Sequence, residues 1–330
     1  MSYSLLPQWP KTYSETGARG SLKQKNEDFR VTELPLALPS GKGEHIWLKV
    51  RKNGANTAYV AQCLSDYANV KEIDVGYAGL KDRYAITEQW FSIYFPKGET
   101  PDFLELNHDE FTVLTQYRHV KKCRRGDLLG NQFEILLRDI DGDPARIEEN
   151  LIQIQQHGAP NYFGPQRFGR DGGNVEQGHL MLTREIRVRQ QKMKSIYLSA
   201  VRSFIFNEIL ADRINNGLWG KTLEGDLFDD QGMPTGALWG RGRINTTAGT
   251  AELENAIAKQ HASLCEGMEH AGLKQERRAL AAIPENMSWQ WLNESRLRLS
   301  FSLSPGYYAT SIMREILDAQ EVDRFEAKDK

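Results

Sequence analysis

Asp82 stands between two cations, Lys81 and Arg83, in the stretch Gly76-Tyr77-Ala78-Gly79-Leu80-Lys81-Asp82-Arg83-Tyr84-Ala85-Ile86-Thr87-Glu88-Gln89. A carboxylate in a Gly-flanked turn can simply cap its own backbone. The neighbouring residues point to more than that. Val75, Tyr77 and Gly79 read as the end of one strand, and Trp90 to Phe95 read as the next. Asp82 then falls on a loop held by two buried strands, where catalytic groups tend to be placed. Flanking positive charge favours the ionised carboxylate, and an ionised carboxylate is the form a nucleophile needs. Side chains of adjacent residues on an extended segment point apart, however, so the cation that faces Asp82 can equally come from elsewhere in the chain.

Several elements must hold this loop. Phe29-Val31-Glu33 and Ile46-Leu48-Val50 alternate with polar neighbours, as half-buried strands do. Asn56 and Thr57 can cap a helix with Val60, Leu64 and Tyr67 on one face. Phe111 to Val120 and Gln132 to Ile140 read as further strands, and Ile147, Leu151 and Ile154 form a helical stripe ending near His157-Gly158. Strands outnumber helices and do not alternate with them, which predicts an α+β fold with a mixed or antiparallel sheet. Residues 158–174 are rich in Gly, Pro and Asn, and helical patterns follow. One long helix carries Tyr197, Val201, Phe204, Ile205 and Ile209 and closes at Asn215-Asn216-Gly217; another carries Leu253, Ile257, Gln260 and Leu264 and closes near Gly272. Strand character returns at Met287 to Leu292 and Arg296 to Leu303, and Ala309 to Leu317 predicts a last helix. The economical division is a catalytic domain over 1–157 and 285–330, interrupted by an insertion over 158–284.

A chain of 330 residues is long for one core, in keeping with two domains. No run approaches the roughly 18 to 20 apolar residues of a membrane helix, and Met1 to Pro7 lacks the basic start and apolar core of a signal peptide. Cys63, Cys123 and Cys265 are few and far apart, which predicts free thiols in a reducing, cytoplasmic setting. The histidines are scattered without ligand spacing, and no phosphate-binding loop or dinucleotide fingerprint is present, so a reaction without metal or cofactor is expected. Net charge is −2, yet the cations cluster. Arg118, Lys121, Lys122, Arg124 and Arg125 fall in one acid-free run, and Arg184, Arg187, Arg189, Lys192 and Lys194 form another against Glu185 alone. Such runs suit phosphate contacts. The charged tail from Glu321 to Lys330 is expected to fray.

The motif A-G-L-K-D-R-x-A-x-T-x-Q resembles the loop that marks the TruD family of tRNA pseudouridine synthases. Asn26 to Glu33 resembles that family's E-D-F-x-V-x-E segment, and Gly130-Asn131-Gln132-Phe133 its G-N-x-F strand start. Asn161 to Gly169 is similar to its N-Y-F-G-x-Q-R-F-G box, and Pro305 to Ser311 to its G-[SY]-[FY]-A-T-S element. The resemblance implies a pseudouridine-synthase sheet, mixed and largely antiparallel with flanking helices, carrying an inserted α/β TRUD domain with a cleft between them. It implies a cofactor-free isomerisation of uridine 13 in the D-arm of tRNA, with tRNA as partner, no membrane and no obligatory protein partner. Asp82 takes the catalytic position, attacking the sugar or deprotonating it. Lys23 matches a family position and becomes the candidate partner of Asp82 beside Lys81 and Arg83. Phe29, Phe133 and Tyr308 are candidates to stack on an extruded base, and Asn131 to pair with the uracil or ribose edge. Tyr308 stands where many members carry Phe, so its hydroxyl needs a partner. Glu27 is a candidate to hold the N-terminal segment or the RNA backbone, and Lys121, Lys122, Arg124 and Arg125 to bind phosphates. The same chemistry on another RNA site, or a non-catalytic RNA-binding or folding module, are the rival readings. Intact Asp82, Asn131 and Phe133 weigh against the second.

Overall fold

The computed structural model describes Tyr3 and residues 6–321; most of the charged tail and most of the first five residues lie outside the described residues. In chain order the first elements are β1 (Arg19–Leu22), β2 (Phe29–Pro35), β3 (His45–Asn53), α1 (Thr57–Tyr67), β4 (Val75–Tyr77), β5 (Ile86–Tyr94), β6 (Phe111–His119), β7 (Leu128–Asp141) and α2 (Pro144–His157). Then come β8 (Ala159–Pro160), α3 (Gly173–Leu182), α4 (Gln191–Asn215), β9 (Thr235–Leu238), α5 (Ala248–Gln260), α6 (Ala262–His270), β10 (Glu276–Ala279) and β11 (Ala281–Ala282). The chain ends with β12 (Glu285–Asn293), β13 (Arg296–Leu303), α7 (Ala309–Ile316) and β14 (Asp318–Glu321).

Two compact units result. One comprises Gly17–Ile147, Pro284–Tyr307 and the chain from Leu317; the other comprises the chain up to Thr16, Glu148–Ile283 and Tyr308–Ile316. Residues 158–283 of the expected insertion fall within the second unit, together with 148–157 and two further short segments. Composition marks where sequence character changes, not where a segment finds its partner. Here the partner is Glu315, whose buried carboxylate accepts hydrogen bonds from the Thr12 and Tyr13 amides at 2.9 and 3.4 Å.

The first unit is built on one large sheet in the order β12-β13-β7-β2-β5-β3-β6, with β4 on β5 and β1 between β7 and β14. Among the described strands of this sheet, only β2–β5 and β1–β14 are parallel, so the sheet is mixed and largely antiparallel, as expected. Period-two alternation sends Ile46, Leu48 and Val50 of β3 and Phe91 and Ile93 of β5 inward against Val60, Ala61 and Leu64 of α1. Polar residues at the same inward phase, Lys52 and Gln89, are carried into the interior with them. Asn56 occupies the N-cap of α1 without a side-chain capping bond; the hydroxyl of Thr57 is used elsewhere, as described below.

The second unit packs α3 to α6 around Phe168, Phe204, Ile205, Phe206, Ile209, Leu264 and Met268. The helix expected to run through Leu253 and Leu264 is two helices. His261 leaves the helical region at φ −113°, ψ 37° between them, and its buried ring meets the Tyr3 hydroxyl at 3.1 Å. Among the described residues, no helix is long and apolar enough to cross a membrane.

Candidate active site

Residues 78–85 form the loop between the antiparallel strands β4 and β5, and its backbone is tied down at several points. Gln89 Nε2 donates to the Gly79 carbonyl at 3.2 Å. The Lys81 amide donates to Thr57 Oγ1 at 3.0 Å, and that hydroxyl donates to Gln89 Oε1 at 3.0 Å. Lys52 Nζ donates to the Asp82 carbonyl at 2.5 Å, and Arg83 Nε to the Gly54 carbonyl at 3.0 Å. The closing Gln of the loop motif thus acts as a brace. Gly76 serves by closeness, since a Cβ there would lie 2.2 Å from the Cys123 carbonyl oxygen.

The Asp82 side chain is 35% exposed. Its Oδ2 accepts from Lys23 Nζ at 2.6 Å and its Oδ1 from the Tyr84 amide at 3.0 Å. Burial, the largest single influence, pushes the carboxyl up; the charge and hydrogen bond of Lys23, the Tyr84 amide and the charge of Lys52 together outweigh it and hold the group below its ordinary value. Lys23 reaches this position from the turn after β1, where its backbone adopts φ 58°. A left-handed conformation at a non-glycine residue costs on the order of 1–3 kcal/mol and tends to persist where the surroundings impose it. The surroundings here are Asp82 and the Phe29 ring, whose centroid lies 4.6 Å from Lys23 Nζ. Lys23, and neither neighbour of Asp82 in sequence, is its ion-pair partner.

Lys81 turns the other way. Its ammonium pairs with Glu33 Oε2 at 2.8 Å and donates to Asn131 Oδ1 at 2.7 Å, while the Trp90 amide donates to Glu33 Oε1 at 3.1 Å. Glu33 and Asn131 are direct partners across β2 and β7, and Val31 faces Phe133 two residues along. Asn131, Phe133, Phe29 and Glu33 therefore share one face of the sheet. The Phe133 ring lies 6.0 Å from Phe29 and 5.5 Å from Phe301. Gly130 lets β13 close on this edge, because a Cβ there would stand 2.4 Å from the Leu303 carbonyl oxygen.

The remaining candidates are placed differently. Arg83 lies over the Tyr84 ring. Glu27 is exposed, and its carbonyl accepts from Arg30 Nε at 3.4 Å. Tyr308 belongs to the second unit, where its hydroxyl accepts from Arg167 Nη2 at 2.6 Å and its ring faces Phe163 at 6.2 Å. The partner that the hydroxyl required is supplied by the N-Y-F-G-x-Q-R-F-G box. The run from Lys121 to Arg125 is the turn between β6 and β7, not part of a strand. Lys121, Arg124 and Arg125 are exposed there, and Lys122 Nζ bonds the Ile73 carbonyl. Among the described residues, no group of three or more His, Cys, Asp or Glu side chains is placed to hold a metal ion.

Glu33, Thr57, Gln89 and Lys52 are the site residues that sequence reasoning missed. Lys52 carried a signal: a lysine at the inward phase of an alternating strand must find a purpose for its charge. Burial lowers its ammonium to about 8, opposed by Asp82 and aided by Lys81. In the unfolded chain the same amine titrates near 10.5. Between those values the unfolded chain binds more protons, so the contribution of Lys52 to stability rises with pH across that window. Urea unfolding of wild type and Lys52→Met near pH 7 and near pH 9.5 should show the difference between them moving in favour of wild type at the higher pH. An unchanged difference would mean that Lys52 titrates as an ordinary lysine.

A family model described as tRNA pseudouridine synthase D (TruD) matches residues 11–188. The chain is 39% identical over 324 residues to a tRNA pseudouridine synthase D of Hydrogenovibrio crunogenus, covering 92% of this chain and 94% of that one. It is 40% identical over 342 residues to the protein of the same name from Aeromonas hydrophila, covering 97% and 96%. A crystal structure from Methanosarcina mazei, assigned to TruD, superposes with a TM-score of 0.69 at 22% identity, covering 95% of this chain and 96% of that one, and shows the shared fold. This chain belongs to the TruD family of pseudouridine synthases.

Proposed function

We propose that the protein isomerises uridine to pseudouridine in tRNA, at uridine 13 of the D-arm, with Asp82 as the nucleophile acting on a flipped-out base. The observation that carries the reading is a single carboxylate, held ionised yet accessible, beside an aromatic pair on the same sheet unit. Among the described residues, each oxygen of Asp82 accepts one hydrogen bond, fewer than the lone pairs it carries. That suits either attack at the sugar C1′ or removal of a sugar proton. A stacked uridine hides the atoms that react, so the base must leave its helix. The rings of Phe29, Phe133 and Tyr308 are the candidate stacking faces, each worth about 1–3 kcal/mol per base. Isomerisation breaks the glycosidic bond, turns the uracil and rejoins it through C5, with no redox change and no cofactor. Residues 158–284 are assigned to the inserted TRUD domain, and the RNA substrate places the enzyme in the cytoplasm. Carbodiimide primer-extension mapping of tRNA incubated with purified protein should give a new stop at uridine 13. A stop at another uridine would overturn the position, and no new stop would overturn the activity.

Phosphate contacts are assigned to the exposed cations of the turn. Because Lys122 is engaged with the Ile73 carbonyl, the informative variant replaces Lys121, Arg124 and Arg125 by Ala. Phosphate contacts are blind to sequence, so specific and non-specific RNA binding should weaken together. The plot of log affinity against log salt should flatten by nearly one unit per lost contact. An unchanged slope would mark the turn as an ordinary solvated face.

A further inference from the structure

We propose that Glu33 and Lys81 are positioning residues that lock the Asn131 carboxamide as a donor-only group, which a uracil satisfies with a carbonyl oxygen both before and after it turns. The proposal rests on the reading of this chain as a tRNA pseudouridine synthase. An asparagine side chain ordinarily offers both an acceptor and a donor, and in solution it can present either. A lysine ammonium has donors only. With Lys81 Nζ 2.7 Å from Asn131, the atom facing it must be the oxygen. The lysine cannot move aside, because its side chain is 6% exposed and its charge is matched at 2.8 Å by Glu33, which is 1% exposed. Glu33 is itself held by the Trp90 amide. Turning the amide over would set its NH2 against the ammonium and leave a buried donor unpaired, which is costly. The Asn131 NH2 donates to no described residue, and Asn131 is only half-buried. What remains for a ligand is a pair of N–H donors and no acceptor.

The chemistry of the substrate gives this polarity a use. To rejoin through C5, the detached uracil turns about the axis through N3 and C6. That turn exchanges N1 with C5 and also exchanges O2 with O4. A donor placed at either carbonyl position therefore meets a carbonyl oxygen in the starting and in the turned orientation. A base with an amine at one of the two positions satisfies the donor in one orientation only and sets N–H against N–H in the other. The lock thus holds the base through its turn and makes the turn selective for a dicarbonyl pyrimidine.

The test compares transcripts of one substrate tRNA bearing uridine, 2-thiouridine or 4-thiouridine at the modified position, since sulfur accepts hydrogen bonds weakly. Wild type should convert the uridine transcript with kcat/KM about tenfold or more above either thio transcript, the loss expected for one good hydrogen bond. In the double variant Glu33→Gln with Lys81→Met, the Trp90 amide keeps an acceptor, no buried charge is stranded, and the carboxamide is free to turn. Its preference should shrink toward unity. Asn131→Asp keeps the pairing with Lys81 but shows an acceptor to the base, and it too should lose the preference along with turnover. Melting curves identify variants that fold. A wild type indifferent to both sulfur substitutions would overturn the lock, and so would wild-type preference in a folded double variant or in Asn131→Asp, the latter pointing to the size of sulfur. A wild type that makes no pseudouridine in any transcript would overturn the proposed function itself.

Discussion

Asp82→Asn is expected to abolish pseudouridine formation while leaving the fold and tRNA binding nearly intact. The amide is close in shape, and its oxygen can still accept from the Tyr84 amide. It is neither basic nor nucleophilic, and it gives Lys23 no charge to pair with. The rate should fall by more than about 10³-fold, or roughly 4 kcal/mol of barrier. Lys23, with a side chain only 11% exposed, is left without its counter-ion, so a modest loss of stability, about 1–3 kcal/mol, should accompany the loss of rate without unfolding the protein. Single-turnover assays at saturating enzyme separate the chemical step from binding. Turnover within tenfold of wild type would remove Asp82 from the catalytic role and leave its ion pair with Lys23 as a structural clasp.

What was legible in the sequence was mostly what is local in it. Asp82 stands out because the strands on either side, β4 and β5, can each be read from their own few residues. Alternation marks several of the strands, and a run of strands not regularly interleaved with helices points to the mixed, largely antiparallel sheet. The ion pairs of the site are not local. Lys23 meets Asp82 across 59 positions and Lys81 meets Asn131 across 50, so charge adjacency alone points to Lys81 and Arg83, and Lys23 entered as a candidate only through the family resemblance. Glu33 lay in plain view in the motif carrying Phe29, but its role depends on the register that sets it opposite Asn131. Lys52 required knowing that β3 buries its even-numbered residues to the end of the strand. The unit boundaries depend on where 1–16 and 308–316 find partners, and no composition change announces a buried Glu315.

Phe133→Ala is the second substitution with a large expected effect, and here two roles compete for one ring. The side chain is 8% exposed and packs between Phe29 and Phe301. Truncation removes a buried aromatic from a face shared by β2, β7 and β13, whose strands leave little room to collapse into the gap. The expected loss of stability is about 3–5 kcal/mol, large against the 5–15 kcal/mol that holds a typical domain folded. Stability alone does not reveal whether the exposed edge of the ring also receives a base, since a core residue and a stacking residue both fail as alanine. Phe133→Leu separates them. Leucine keeps much of the apolar volume and the contact with Phe301, but it has no π-face on which a uracil can stack. If Phe133 stacks on the base, the leucine variant should fold with a modest drop in melting temperature and lose turnover by roughly tenfold or more, the effect of one lost stacking partner. Normal turnover per folded molecule of Phe133→Leu would confine the ring to the core.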